Sequence, residues 1–198
     1  TPEVTVTPEP TATLAPVMLE KYAELYEKNN DLIGWLTVPG TNIDYPVVAG
    51  EDNTYYLTHN YDKKSDEQGW IFMSTWSDVL VKNRNINLWG HNMANGRMFG
   101  TLQYYDTTRH GTALSFYKQN PTFEFDTIYE DAEYKILAIM VIDVTADSYF
   151  TFFYNDFSSE EQFLSFVEHI RAYSLIDTTV DVQEGDQLVM LTTCTSTW

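Results

Sequence analysis

The chain has 198 residues and carries 29 acidic against 11 basic side chains, a formal charge of −18, with 43% hydrophobic residues. These values describe one acidic domain of ordinary size. They make nucleic acid a poor partner, because phosphate binding rests on clustered Lys and Arg that this chain lacks.

In chain order, residues 1–16 (TPEVTVTPEPTATLAP) hold four prolines and five threonines, a composition that cannot bury enough surface to fold and reads as an extended tether. A folded domain is expected over residues 17–198. From Val17, the recurrence of Leu19, Tyr22, Ala23 and Tyr26 predicts an amphipathic helix, which Asn29-Asn30-Asp31 ends. After Gly34, short β-branched and aromatic runs alternate with turn residues. They predict strands at Trp35–Val38, Ile43–Val48, Gly69–Met73, Ile86–Trp89, Thr122–Thr127, Tyr134–Val144 and Gln187–Thr193. Turn signals at Pro39-Gly40, Ala49-Gly50 and Asn95-Gly96 favour a barrel or sandwich over parallel βαβ units, so the fold class is mainly β. One late helix is predicted over residues 159–173. A capping-box start at Ser158-Ser159-Glu160-Glu161 opens it, and Phe163, Phe166, Val167 and Ile170 form its apolar stripe.

The longest aliphatic run, Ile136 to Ile142, is 7 residues, far short of the roughly 18 to 20 needed to cross a bilayer. Charge is unevenly spread, residues 120–198 holding 2 basic and 15 acidic side chains. That excess reads as a solvated acidic face, serving solubility or the attraction of cationic substrates.

Cys194 is the single cysteine, which forbids an internal disulfide and a multi-cysteine zinc site. It ends a hydrophobic strand, Leu188 to Thr193, whose last two residues are polar threonines, as a thiol facing a cleft requires. His91, in Trp89-Gly90-His91-Asn92-Met93, likewise follows a strand and a glycine. Two strand ends can bring residues 103 positions apart to one rim of a barrel. A thiol beside an imidazole is a nucleophilic catalyst that needs no metal or cofactor, since the thiolate attacks and the histidine protonates the leaving amine. His59, His110 and His169 read as surface or structural residues.

These residues resemble a known family. Trp89-Gly90-His91-Asn92-Met93, Gly96-Arg97-Met98-Phe99-Gly100 and Leu191-Thr192-Thr193-Cys194 are similar to the histidine and cysteine signatures of class B sortases, cysteine transpeptidases of Gram-positive cell surfaces. The stretch Gly34 to Val48, the segment Asn53-Thr54-Tyr55-Tyr56-Leu57 and the late helix extend the likeness in the family's order, from about Val17 to the last residue. The resemblance implies a closed β-barrel with flanking helices. It implies that Cys194 attacks a backbone carbonyl in the sorting motif of a secreted protein, and that His91 protonates the departing amine. His91 then deprotonates an amine on a cell-wall precursor, and Leu57, Trp89, Thr192 and Thr193 match positions near the substrate groove. With the tether, it further implies a hydrophobic anchor upstream of Thr1 and a catalytic domain outside the cell.

One departure stands out. Class B sortases carry an arginine on the strand after the cysteine, suited to holding substrate and a developing oxyanion, whereas Arg84, Arg97, Arg109 and Arg171 all precede Cys194. The expectation is a chain shortened before its last barrel strand. The alternative is a degenerate, peptide-binding relative without turnover. A papain-like hydrolase is disfavoured because its cysteine precedes its histidine and opens a helix. An L,D-transpeptidase would need a Ser-His-Gly run that is absent, and a purely structural adhesin leaves the matched motifs as coincidence.

Overall fold

The computed structural model describes residues 15–81, 83–143, 145 and 152–194. Among these described residues, seven strands form one sheet in the order β6-β5-β1-β2-β3-β4-β7. They are β1 (Leu32–Thr37), β2 (Asp44–Val48), β3 (Phe72–Met73), β4 (Asn85–Trp89), β5 (Thr122–Thr127), β6 (Glu133–Lys135) and β7 (Leu188–Thr192). The sheet curls into a nearly closed barrel with β6 and β7 as its end strands. Most of the tether, residues 1–14, lies outside the described residues.

Central β1 pairs antiparallel with β2 and with β5, and its side chains alternate between buried and half-buried, as a strand with one face on a core requires. The barrel interior is filled by Leu36, Val47, Ile71, Leu88, Phe99 and Phe125, each 0% exposed. Outside the barrel, a short 3-10 turn at Glu20–Tyr22 runs into helix α1 (Ala23–Lys28). Leu19, Tyr22, Leu25 and Tyr26 from this segment pack with Leu32, Val48 and Phe72. The N-terminal amphipathic helix is thus present, with its first turn tightened.

Helix α3 (Glu160–Ala172) buries Phe163, Phe166, Val167 and Ile170, the stripe expected of it. Its cap is Ser159, whose Oγ accepts from the Gln162 N–H at 3.2 Å, while the Gln162 side chain accepts from the Ser158 N–H at 2.6 Å. Arg84 grips Glu160 with two bonds of 2.7 and 3.1 Å, and its guanidinium lies 3.7 Å from the Phe163 ring centre. This fastens the start of α3 to the start of β4. Strand β7 lies between two cores: Val189 and Leu191 join the barrel interior, and Leu188 and Met190 pack with Phe152, Phe166 and Ile170.

Several elements differ from the sequence reading: β1 starts earlier, at Leu32, and β3 is confined to Phe72–Met73. The strand expected at Tyr134–Val144 ends its ladder at Lys135. Beyond it, Ile139 N–H donates to Ser174 Oγ at 3.2 Å, the Ile139 carbonyl accepts from Leu175 at 2.7 Å and the Leu137 carbonyl from Thr178 at 2.8 Å. The apolar run is therefore satisfied by the turn after α3, and Val144 lies outside the described residues. Helix α2 (Ala113–Gln119) and the 3-10 turns at Tyr55–Leu57 and Gly100–Tyr105 have no counterpart in the sequence reading. Such short helices are set by tertiary packing more than by periodicity.

Candidate active site

Strands β4 and β7 run parallel, with Asn85 opposite Leu188 and Trp89 opposite Thr192. His91 and Cys194 each stand two residues beyond that last pair, so parallel pairing delivers both to the same end of adjacent strands. The pairing continues past the strands themselves. Gly90 N–H donates to the Thr192 carbonyl at 3.2 Å, Thr193 Oγ1 to the Gly90 carbonyl at 2.7 Å, and Asn92 Nδ2 to the Cys194 carbonyl at 2.9 Å. Gly90 is required at the bend, because a Cβ there would stand 2.9 Å from the Phe99 ring. The loop after His91 folds back on it, Phe99 N–H donating to the His91 carbonyl at 2.9 Å.

The His91 ring is held from a third element. Its Nε2 lies 2.8 Å from the Leu57 carbonyl oxygen. A carbonyl can only accept, so Nε2 bears the proton and Nδ1 is the basic nitrogen of the neutral ring. The Leu57 carbonyl is itself fixed by the turn Tyr55–Leu57. Fully buried Tyr56 donates through its hydroxyl to Asp31 at 2.6 Å and accepts from Asn29 Nδ2 at 2.9 Å. Burial, and then the Asp31 carboxylate, push its phenol above the ordinary value of 10.0, which keeps it neutral. On the far side sits Gly69 at φ +57°, where a Cβ would come within 2.4 Å of the Tyr56 carbonyl and 2.8 Å of the Leu57 carbonyl.

Cys194 is exposed at the end of a groove of about 500 Å³. Trp89, Asn92, Thr192 and Thr193 line the groove beside it, whereas Leu57 and His91 do not. The Trp89 ring packs on Phe153 with centroids 4.9 Å apart. His59 stacks on Tyr55 at 4.1 Å, His169 stacks on Phe152 at 4.9 Å and His110 meets Tyr104 edge-on at 6.3 Å, all structural placements. The four arginines are engaged as well: Arg84 with Glu160, Arg97 with Gln68 at 3.4 Å, Arg109 with Asp106 at 3.5 Å and Arg171 with Glu168 at 3.3 Å. Among the described residues no cluster of His, Cys, Asp and Glu could hold a metal ion.

A sortase-domain family model matches residues 36–198, which include both strand ends just described and all of the barrel strands but the start of β1. The chain belongs to the sortase family. It is 30% identical over 175 residues to sortase B of Listeria monocytogenes, covering 88% of this chain and 67% of that protein. A solved Bacillus anthracis structure, described as similar to sortase B, superposes with a TM-score of 0.80 at 33% identity, covering 94% of this chain and 82% of that one. A Staphylococcus aureus sortase B–substrate complex superposes equally well, with a TM-score of 0.80 at 25% identity over 90% of this chain and 78% of that one. These likenesses place this sortase in class B.

The sequence gives Asn92 no role and matches Leu57 only to a position near the substrate groove; in the structure Asn92 meets Cys194 and Leu57 meets His91. Asn92, quoted within the histidine motif, holds the Cys194 peptide. Leu57 meets His91 through its backbone carbonyl, and every residue has such a carbonyl. The side chain that marks the position therefore gives no signal of the bond.

Proposed function

We propose that this sortase is a cysteine transpeptidase in which Cys194 is the nucleophile and His91 the general acid and base. The observation that carries the reading is the parallel register Trp89↔Thr192, which sets the two residues at one end of neighbouring strands. The Cys194 thiol gives its proton to the His91 imidazole as its sulfur attacks a peptide carbonyl carbon to form a carbon–sulfur bond, and the carbon–nitrogen bond then breaks as the resulting imidazolium gives that proton to the leaving amine. An incoming amine attacks the thioester, passes a proton to the imidazole and expels the thiolate. The new amide replaces the old, the imidazolium returns its proton to the sulfur, and the enzyme is regenerated.

The acyl donor in this reading is the sorting motif of a secreted protein and the acceptor an amine of a cell-wall precursor, with the domain acting outside the cell. Substrate positions are Trp89, Thr192 and Thr193 along the groove, with Leu57 beneath His91. The substrate complex solved for the S. aureus relative supports a peptide partner. The competing reading is a peptide-binding module without turnover. Incubation with a sorting peptide followed by intact-mass spectrometry separates the two. A thioester adduct on Cys194 that an added amine discharges supports the transpeptidase, and peptide binding with no adduct overturns it.

A further inference from the structure

We propose that Asn92 is a positioning residue that sets the Cys194 thiol against the His91 imidazole, an inference that rests on the dyad reading above. The sequence puts Asn92 next to the histidine, and the fold puts its amide on the cysteine. Its side chain is buried, the residue being 2% exposed, and its Nδ2 donates to the Cys194 carbonyl at 2.9 Å. Because that acceptor is a carbonyl, the amide cannot be turned the other way.

The β4–β7 ladder shows why a side chain is needed here. Backbone pairing carries the two segments together as far as Gly90 N–H on the Thr192 carbonyl. Past that point the segments part, since the chain after His91 turns toward Met98, with which Asn92 forms an isolated antiparallel bridge. The Asn92 amide spans the gap and extends the parallel register by one more bond. It holds the peptide from which the Cys194 side chain springs, and so the direction of the sulfur.

The same residue carries a cost. Asn92 Oδ1 is buried with no hydrogen-bond partner among the described residues, and a desolvated, unpaired carbonyl is unfavourable. An apolar side chain would avoid that cost but would release the cysteine peptide. A locally unfavourable polar group retained beside the reacting atoms is where function overrides stability.

The test is a double-mutant cycle on the rate of Cys194 alkylation by iodoacetamide near neutral pH, with melting temperature followed in parallel. It needs neither sorting peptide nor amine. With His91 present, Asn92→Ala is expected to slow alkylation by about threefold to tenfold, as the thiol loses its alignment with the imidazole. In the His91→Ala background the same change should alter the rate by less than about twofold, because nothing is left to align. Asn92→Asp keeps the shape and removes the donor, and it should reproduce the pattern if Asn92→Ala fails to fold. An equal loss in both backgrounds marks a merely structural residue and overturns the proposal, as does no loss in either. If His91→Ala alone leaves the alkylation rate unchanged, the dyad reading fails and this proposal fails with it. If His91→Ala slows alkylation and neither Asn92 variant does, only the assignment of Asn92 is wrong.

Discussion

The carbonyl oxygen of Leu57 lies 2.8 Å from Nε2 of His91, so a backbone group 34 residues upstream decides which ring nitrogen holds the proton. The neutral imidazole is therefore the Nε2–H tautomer. Nitrogen NMR of the neutral ring should show a protonated Nε2 and an unprotonated Nδ1. The reverse pattern would show that Leu57 does not orient the histidine.

The turn that carries that carbonyl depends on Gly69. Its positive φ and the 2.4 Å approach of a Cβ to the Tyr56 carbonyl leave no room for a side chain. Gly69→Ala is expected to destabilise the domain by about 1 to 3 kcal/mol through backbone strain, and to lower turnover by displacing Leu57 from His91. Urea unfolding and peptide cleavage measured together check both effects. A variant with wild-type stability and rate would mean the turn relaxes freely.

Removing the proposed nucleophile should be decisive, since the chain has no second thiol. Cys194→Ala is expected to abolish thioester formation and amide exchange entirely. His91→Ala should reduce exchange by about a hundredfold or more, the usual contribution of a positioned acid and base. Residual exchange at wild-type rate in the cysteine variant would end the transpeptidase reading.

Helix α3 offers a graded stability test. Phe163 is 0% exposed beneath the Arg84 guanidinium, and Phe163→Ala should cost about 3 to 5 kcal/mol from lost burial and the cavity it leaves. Ser159→Ala removes only a cap bond and should cost about 1 kcal/mol. Denaturant midpoints that rank these two in the opposite order would contradict the packing described.

The Arg84–Glu160 tie should show itself in acid. Its hydrogen bond from Arg84, outweighing desolvation, holds the Glu160 carboxyl below its ordinary value of 4.5. A carboxylate with a depressed folded value adds stability that is fully present above the unfolded value and is lost as pH falls through the folded one. The stability difference between the wild type and Glu160→Gln should be constant near neutral pH and shrink once the pH drops below 4.5. Urea melts at a series of pH values measure it, and a difference that grows on acidification would reverse the sign argued here.

The sequence by itself determined the β-rich architecture, the α3 stripe and the candidate pair His91 and Cys194, because each rests on local signals: alternation along strands, helical spacing, and polar residues at strand ends. Seven β segments were legible because their side chains alternate or cluster wherever one face meets the core. Ile136 to Ile142 misled that reading, since an apolar run fits a strand or any other buried path equally well. Only its hydrogen bonds to Ser174, Leu175 and Thr178 decide which. The parallel pairing of β4 with β7, the Leu57 carbonyl beneath His91 and the Asn92 amide on Cys194 were decided by tertiary structure alone. Each joins groups 34 to 103 positions apart, and the atoms involved are largely backbone, which every residue carries and no side-chain pattern encodes.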